Sequence, residues 1–221
     1  ISADTPVNSG SVNNHGIEFE LGWQDNIGDF HYSLNGNFYT THNKVTYLDP
    51  LANEGVKKGD HFANYKLYTW FEEGYPLWYF NGYKYAGIGE DGFAQFYDIN
   101  GEITSTPTED DRQFLGSTIP SYNYGLTLRM DWKGFDFTAF GAGSGGNYLI
   151  PCIYRTEHVK INTLRYFYEQ AGKSVPKIEN MYDKIEFWSS SATMFKGDYF
   201  KIKQIQLGYT LPRKWTERVM V

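Results

Sequence analysis

The chain has 221 residues, 19% of them aromatic in a sequence only 41% hydrophobic, with 20 Lys and Arg against 26 Asp and Glu for a formal net charge of −6. So many large rings exclude disorder; the acidic balance and the lack of any Lys/Arg cluster exclude a strongly basic nucleic-acid binder; apolar runs of only a few residues exclude a transmembrane helix. A single cysteine, Cys152, makes neither an intrachain disulfide nor a zinc site, and Ile1-Ser2-Ala3-Asp4 lacks the charged start and apolar stretch of a secretory signal, so the sequence reads as a mature chain or a piece of one.

In chain order, the first signal is period two, which puts alternate side chains on opposite faces of a strand. From His15 to Gln24, Ile17, Phe19, Leu21 and Trp23 share one face while Glu18, Glu20, Gly22 and Gln24 share the other. A turn over 25–29 leads into a return strand with Phe30, Tyr32, Leu34 and Phe38 opposite His31, Ser33, Asn35 and Asn37, which predicts a hairpin. The pattern recurs over 121–132, where Tyr122, Tyr124, Leu126, Leu128, Met130 and Trp132 alternate with polar residues and Gly125. Lys133-Gly134 then makes a tight turn into Phe135, Phe137 and Ala139. A third instance starts at Tyr199: Phe200 and Ile202 have one parity, Ile205, Leu207, Tyr209 and Leu211 the other, which predicts a bulge near Lys203. Pro212-Arg213-Lys214 is expected to turn into a further strand starting near Glu217, so the chain is expected to end inside a hairpin.

Between the hairpins lie two long polar and aromatic excursions, about 46–120 and 144–198, at the end of the sheet opposite the short turns. Connections of that length in a compact domain are usually functional. Within them, 65–71 and 77–88 are candidates for a β pair and 163–171 for a helical turn or two.

Alternation by itself fits either a soluble β-sandwich or a membrane barrel. Aromatics at the mouths of the short turns (Trp23 and Phe30, Trp132 and Phe135, Tyr209 and Trp215) and again at the far end (Phe38, Tyr39, Tyr122, Tyr124) favour the barrel, whose apolar band is bounded by aromatic girdles. From Phe30 to Phe38 the strand runs ~26 Å, or ~20 Å of height at a tilt of about 40°. Glu18, Glu20, Arg129, Asp131 and Asp136 on the opposite face suit a watery lumen and not a dry core. The predicted fold class is all-β: antiparallel strands of a large transmembrane β-barrel, partial because about six strands cannot close a wide one, with long extracellular loops and short periplasmic turns. The alternative is a soluble carbohydrate-binding β-sandwich displaying the same aromatics.

At the level of motifs, the sequence resembles the C-terminal barrel segment of the SusC/RagA-like TonB-dependent transporters of Bacteroidetes outer membranes. The resemblance rests on the order of many short stretches: Val12-Asn13-Asn14-His15-Gly16-Ile17-Glu18, Asn43-Lys44-Val45, Glu73-Gly74-Tyr75-Pro76, Phe80-Asn81-Gly82-Tyr83-Lys84-Tyr85-Ala86-Gly87-Ile88, Asp91-Gly92 and Tyr97-Asp98-Ile99-Asn100-Gly101. It continues through Leu115-Gly116, Pro120, Tyr124-Gly125, Gly134-Phe135-Asp136-Phe137, Gly197-Asp198-Tyr199-Phe200-Lys201-Ile202 and Leu207-Gly208-Tyr209-Thr210-Leu211-Pro212. It implies an outer-membrane, lipid-embedded barrel that works with a SusD-like surface lipoprotein, is driven by TonB through an N-terminal part absent from residues 1–221, as is the plug domain, and imports oligosaccharide or peptide cargo. No nucleic acid and no required cofactor are implied.

Several local patterns bear on chemistry. Asp98, Asn100, Glu102 and Glu109 sit at positions one, three, five and twelve of a calcium-type loop, but Ile103 stands where such a loop needs glycine, so calcium is a weak candidate against a solvated acidic loop. Gly141, Gly143 and Gly146 match a dinucleotide fingerprint by spacing, yet Asn147-Tyr148-Leu149-Ile150-Pro151 follows instead of a helix, so no phosphate cradle is expected. The five histidines are scattered, Ser144 has no visible His/Asp partner, and Asp110 and Asp111 give no reason to be chosen as a glycosidase pair, so no enzyme is expected. Trp70, Phe71, Tyr75, Trp78, Tyr79, Tyr83 and Tyr85 form the ligand or partner candidate: flat rings in a long loop either stack on sugars and fill interface pockets, or pack the loop onto itself or onto the partner lipoprotein.

Overall fold

The computed structural model describes residues 9–49, 56–61, 68–150, 164–181 and 184–217. In chain order the strands are β1 (Gly10–His15), β2 (Glu18–Ile27), β3 (Phe30–Thr40), β4 (His42–Leu48), β5 (Val56–His61), β6 (Tyr68–Glu72), β7 (Tyr79–Gly82), β8 (Lys84–Ile88), β9 (Ala94–Tyr97), β10 (Ile103–Thr104), β11 (Gln113–Gly116), β12 (Tyr122–Trp132), β13 (Phe135–Gly145), β14 (Tyr148–Leu149), β15 (Phe195–Lys196) and β16 (Tyr199–Tyr209). The helical pieces are short: α1 (Arg165–Gln170), α2 (Ile178–Met181), α3 (Ile185–Trp188) and α4 (Arg213–Thr216). Two compact units result, one of residues 15–42, 120–146 and 197–221, the other of 1–14, 43–119 and 147–196.

The first unit is a five-stranded antiparallel sheet in the order β16-β13-β12-β3-β2. Its register turns the alternation of the sequence into two chemically distinct faces. Phe19, Phe38, Tyr124, Gly143 and Phe200 lie opposite one another in one cross-strand row, and Ile27, Phe30, Trp132, Phe135 and Tyr209 in another, eight residues along β3 and β12 on the same face. The middle row of that face is Trp23, Leu34, Leu128, Ala139 and Ile205, so aromatic rows bound a mostly aliphatic band. Rows on the other face are polar, such as Gln24, Ser33, Arg129, Thr138 and Gln206. The apolar face is uncovered: Trp23 is 61%, Ile205 67% and Leu207 73% exposed. A soluble sandwich would bury these residues under a second sheet, so the sheet is the wall of a barrel and not half of a sandwich.

The bulge expected near Lys203 is present. Phe140 pairs with Gln204 and Gly141 with Ile202, leaving Lys203 as the extra residue. That single insertion brings Phe200 and Ile202 onto the same face as Ile205 and Leu207, which the parity of the sequence would otherwise split. Glycines keep the outer end of β13 open for rings. A Cβ at Gly141 would fall inside the Phe200 ring, and one at Gly143 would come within 2.6 Å of Tyr124. Phe200 and Tyr124 stack at 6.0 Å with an interplanar angle of 4°, continuing to Tyr122 and Phe38.

Both hairpins form, with corrections at their ends. The expected strand from His15 breaks at Gly16-Ile17, where the chain passes so close to Thr40 that a Cβ on Gly16 would overlap its carbonyl. Ile17 N donates to Thr40 Oγ1 at 3.0 Å and Thr40 N to Ile17 O at 2.9 Å. β2 then runs on to Ile27, so the turn expected over 25–29 shrinks to Gly28-Asp29, with Gly28 at φ +61°. A two-residue turn with glycine first matches the strand twist. Lys133 and Gly134 both take positive φ, +47° and +89°, as a type I′ turn requires. After β16 the chain makes the helical turn α4, and Glu217, expected to begin a strand, caps it by donating its N–H to Arg213 O at 2.9 Å. Residues 218–221, where that strand was expected, lie outside the described residues, as does Cys152.

The second unit gathers both excursions. It holds a four-stranded sheet in the order β11-β7-β6-β5, a three-stranded sheet in the order β10-β9-β8, and the pairs β1-β4 and β14-β15. β6 pairs with β7, as expected for 65–71 and 77–88, but the second segment divides at Tyr83 into β7 and β8, which enter different sheets. Residues 65–67 lie outside the described residues. The helical turn expected over 163–171 is α1, stapled by an Arg165–Glu169 ion pair at 2.6 Å across four residues. Tyr83, Phe96, Phe167, Met181, Phe187 and Trp188 form the core, joined edge to face. Trp188 Nε1 donates to Met181 O at 2.8 Å, which lets its polar edge be buried.

Candidate functional site

The seven loop rings do not form one platform. Tyr79 is fully buried between Tyr75 (stacked at 4.8 Å), Phe114 (5.3 Å) and Trp70 (edge-on at 6.5 Å), and its hydroxyl donates to Glu72 Oε2 at 2.5 Å. Burial, with the Glu72 carboxylate beside it, pushes the Tyr79 phenol up from its usual range. Tyr83 is buried under the Arg112 guanidinium, 4.7 Å from the ring centroid, and burial raises its phenol too, against the opposing pull of Arg112. Tyr85 is half-buried against Phe187 and Phe96. Its hydroxyl donates to Ser174 O at 3.1 Å, and desolvation pushes it up to about 12. Trp70, Phe71 and Trp78 are half-buried, the last two 5.5 Å apart, and Tyr75 is the most open of the seven. The structure therefore splits the set: Tyr79, Tyr83 and Tyr85 hold the unit together, while Tyr75 and the exposed Phe114 beside it present ring surface to solvent.

The acidic loop is closed by its own hydrogen bonds. Asp98 Oδ1 accepts from Asn100 N at 2.9 Å and Glu102 N at 2.7 Å, with Gly101 at φ +85° closing the turn. Glu109 pairs with the nearly buried Arg112 at 2.6 Å. Asp111 accepts from Thr108 N, Thr108 Oγ1 and Ile99 N, and these bonds hold its carboxyl below the ordinary range. Asn100 and Glu102 point to solvent. Among the described residues, no group of three or more His, Cys, Asp or Glu side chains converges as a metal site.

Arg112, absent from the sequence-level candidates, organises this region: besides Tyr83 and Glu109 it reaches Asn81 O through Nη1 at 3.4 Å. One signal could have found it, since an arginine following three acidic residues in a ring-dense loop is placed to stack and pair at once.

The described surface carries hollows in both units. One, of about 520 Å³, lies on the polar face of the sheet near the short turns, with Arg129, Asp131 and His31 in its lining. The other, of about 420 Å³, opens in the second unit above Phe96 and Phe187, its rim carrying Asp91, Lys184, Glu186 and Asn180. Neither was legible as a site in the sequence, because each draws on segments far apart along the chain.

No family model matches the chain. TonB-dependent receptor P26 of Formosa agariphila is 25% identical over 238 residues, covering 93% of this chain and 23% of the receptor. TonB-dependent receptor P3 of the same organism is 23% identical over 249 residues, covering 94% and 22%. The solved structure of the RagAB peptide transporter matches with a TM-score of 0.74 at 22% identity, over 94% of this chain and 23% of that one. The chain thus spans about a quarter of the length of the proteins it matches. The all-β barrel-wall fold and the resemblance to SusC/RagA-like TonB-dependent transporters hold along nearly the whole chain, and the proteins it resembles are named as receptors and a transporter, in keeping with the expectation of no enzymatic activity.

Proposed function

We propose that this chain is one wall, with its attached outer loops, of a TonB-dependent outer-membrane nutrient importer. The observation that carries the reading is the register of the five-stranded sheet, which sorts apolar and polar residues onto opposite faces, bounds the apolar band with aromatic rows and leaves that band uncovered. The apolar face meets lipid, and Arg129, Asp131 and Asp136 meet the aqueous lumen. The strand ends at Thr40, Tyr122, Gly145 and Tyr199, where both excursions depart, face the cell exterior, and the two-residue turns face the periplasm. A SusD-like surface lipoprotein and TonB complete the machine, and the cargo is oligosaccharide or peptide.

Cysteine labelling in the full-length parent chain tests this. In outer membranes, Gln204→Cys and Gln206→Cys are expected to react with a charged maleimide, while Ile205→Cys and Leu207→Cys are protected until detergent is added. Uniform labelling, or recovery of the parent chain as a water-soluble protein without detergent, overturns the reading.

A further inference from the structure

We propose that Asn100-Gly101, in the turn between β9 and β10, is a site of spontaneous backbone modification, at which Asn100 converts through a succinimide to aspartate and isoaspartate. The reaction needs no enzyme and no cofactor. Gly101 N gives up its proton to solvent base and attacks Asn100 Cγ; the Cγ–Nδ2 bond breaks, and the amide takes up a proton and leaves as ammonia. Water then opens the ring at either carbonyl, giving an aspartyl or an isoaspartyl residue at position 100. Asparagine followed by glycine is the favourable pair because glycine has no side chain to crowd the attacking nitrogen.

The sequence holds three such pairs, Asn35-Gly36, Asn81-Gly82 and Asn100-Gly101, and the structure separates them. Asn35-Gly36 lies in β3, whose two edges are both taken, Gly36 pairing with Leu21 of β2 and Leu126 of β12. Asn81-Gly82 lies in β7, between β6 and β11; Asn81 is 3% exposed and its carbonyl accepts from Arg112 Nη1. In both strands the backbone must leave a ladder before the asparagine Cγ and the next nitrogen can meet. Asn100 and Gly101 are exposed and lie outside any strand.

The turn also presents the reacting atoms. Asp98 holds the backbone on either side of the pair: its Oδ1 accepts from Asn100 N at 2.9 Å and Glu102 N at 2.7 Å, and its N–H donates to Glu102 O at 2.8 Å. The attacking nitrogen is held by the bond from Gly101 N to Asp98 O at 3.1 Å, near the long end for such a bond. Gly101 takes φ +85°, and the place of its absent Cβ has nothing within 4 Å, which leaves the nitrogen open to solvent base. Either product puts a new carboxylate beside Asp98. The isoaspartyl form also lengthens the backbone of a turn whose bonds fit an ordinary chain, and is expected to loosen the pairing of Ile103 with Tyr97 and Thr104 with Phe96.

The test is peptide mass mapping of the full-length parent chain, aged in detergent at neutral and at mildly alkaline pH, with the guanidinium-unfolded chain aged alongside. In the folded chain Asn100 is expected to be modified faster than Asn35 and Asn81 by at least roughly tenfold, since the strand positions react only after local opening. The product is expected to include isoaspartate and to form faster at the higher pH, as attack by a deprotonated nitrogen requires. Unfolding is expected to bring the three sites to similar rates. Asn100→Gln, which would have to close a larger ring, is expected to leave position 100 unmodified over the same period. Asn100 reacting no faster than Asn35 or Asn81 in the folded chain, aspartate as the sole product, a rate indifferent to pH, or the same contrast surviving unfolding overturns the assignment. None of these outcomes bears on the faces of the sheet, which the maleimide pattern tests by itself.

Discussion

Strand β3 allows the membrane reading to be tested on one element by placing arginine at three positions. Leu34 lies in the middle row of the apolar face, Phe38 in its outer aromatic row, and Asn35 on the polar face. Leu34 and Phe38 are four residues apart, ~13 Å along the strand and ~10 Å in depth at a tilt of about 40°, so Leu34→Arg puts a guanidinium near the bilayer midplane. The cost there is about 2–4 kcal/mol, roughly a 30- to 900-fold shift in the folding equilibrium. Phe38→Arg, at the interface, is expected to cost about 0–1 kcal/mol for the charge, plus its loss of ring packing against Tyr122 at 6.2 Å. Asn35→Arg, facing the lumen, is expected to cost nothing resolvable. The assay is reversible folding of the full-length parent chain into thin-bilayer vesicles against urea, read by tryptophan fluorescence and by retention of the folded band in cold gel electrophoresis. Equal costs at Leu34 and Phe38, or a cost at Asn35 matching that at Leu34, would refute the assignment of faces.

Three other outcomes follow from local geometry. Gly141→Val drives a side chain into the Phe200 ring and is expected to destabilise the sheet by about 1–3 kcal/mol, with Phe200→Ala in the same chain recovering part of the loss; additive costs in the double mutant would count against the contact. Phe167→Ala removes a fully buried ring that touches Trp188 at 5.1 Å and Phe187 at 6.3 Å, so a loss of about 3–5 kcal/mol is expected, read as faster proteolysis within 147–196; unchanged proteolysis would remove Phe167 from the core. Burial favours the neutral phenols of Tyr79 and Tyr85 in the folded state. Their contribution to stability is complete below the unfolded value near 10 and declines as pH rises toward about 12 for Tyr85 and beyond for Tyr79, so absorbance at ~295 nm should leave these phenols untitrated at about pH 10.5, and melting temperature should fall above it.

The sheet was largely legible in the sequence because its information is local. A period-two pattern names the two faces of each strand without reference to any neighbour, and the parity change around Lys203 located the bulge before any pairing was known. The short turns were legible for the same reason in Lys133-Gly134, and less so at 25–29, where Asp25, Asn26 and Asp29 resemble loop residues while cross-strand pairing carries β2 on to Ile27. The excursions behaved differently. The seven candidate rings between Trp70 and Tyr85 look alike in sequence, yet Tyr79 and Tyr83 are buried and Tyr75 is open.

What the sequence determined by itself was therefore the two-faced character of the sheet: which residues share the apolar face, which share the polar one, and where the aromatic rows fall. What only the tertiary structure decided was the fate of the loop residues. Glu109 spends its carboxylate on Arg112, Asp98 turns inward on its own loop, Phe167 and Phe187 come together from α1 and α3, and Asp91, Lys184 and Glu186 line one cavity. Strand faces follow from the geometry of one backbone. A core and a cavity assembled from segments about 90 residues apart follow from which distant surfaces exclude water together, and no local period encodes that choice.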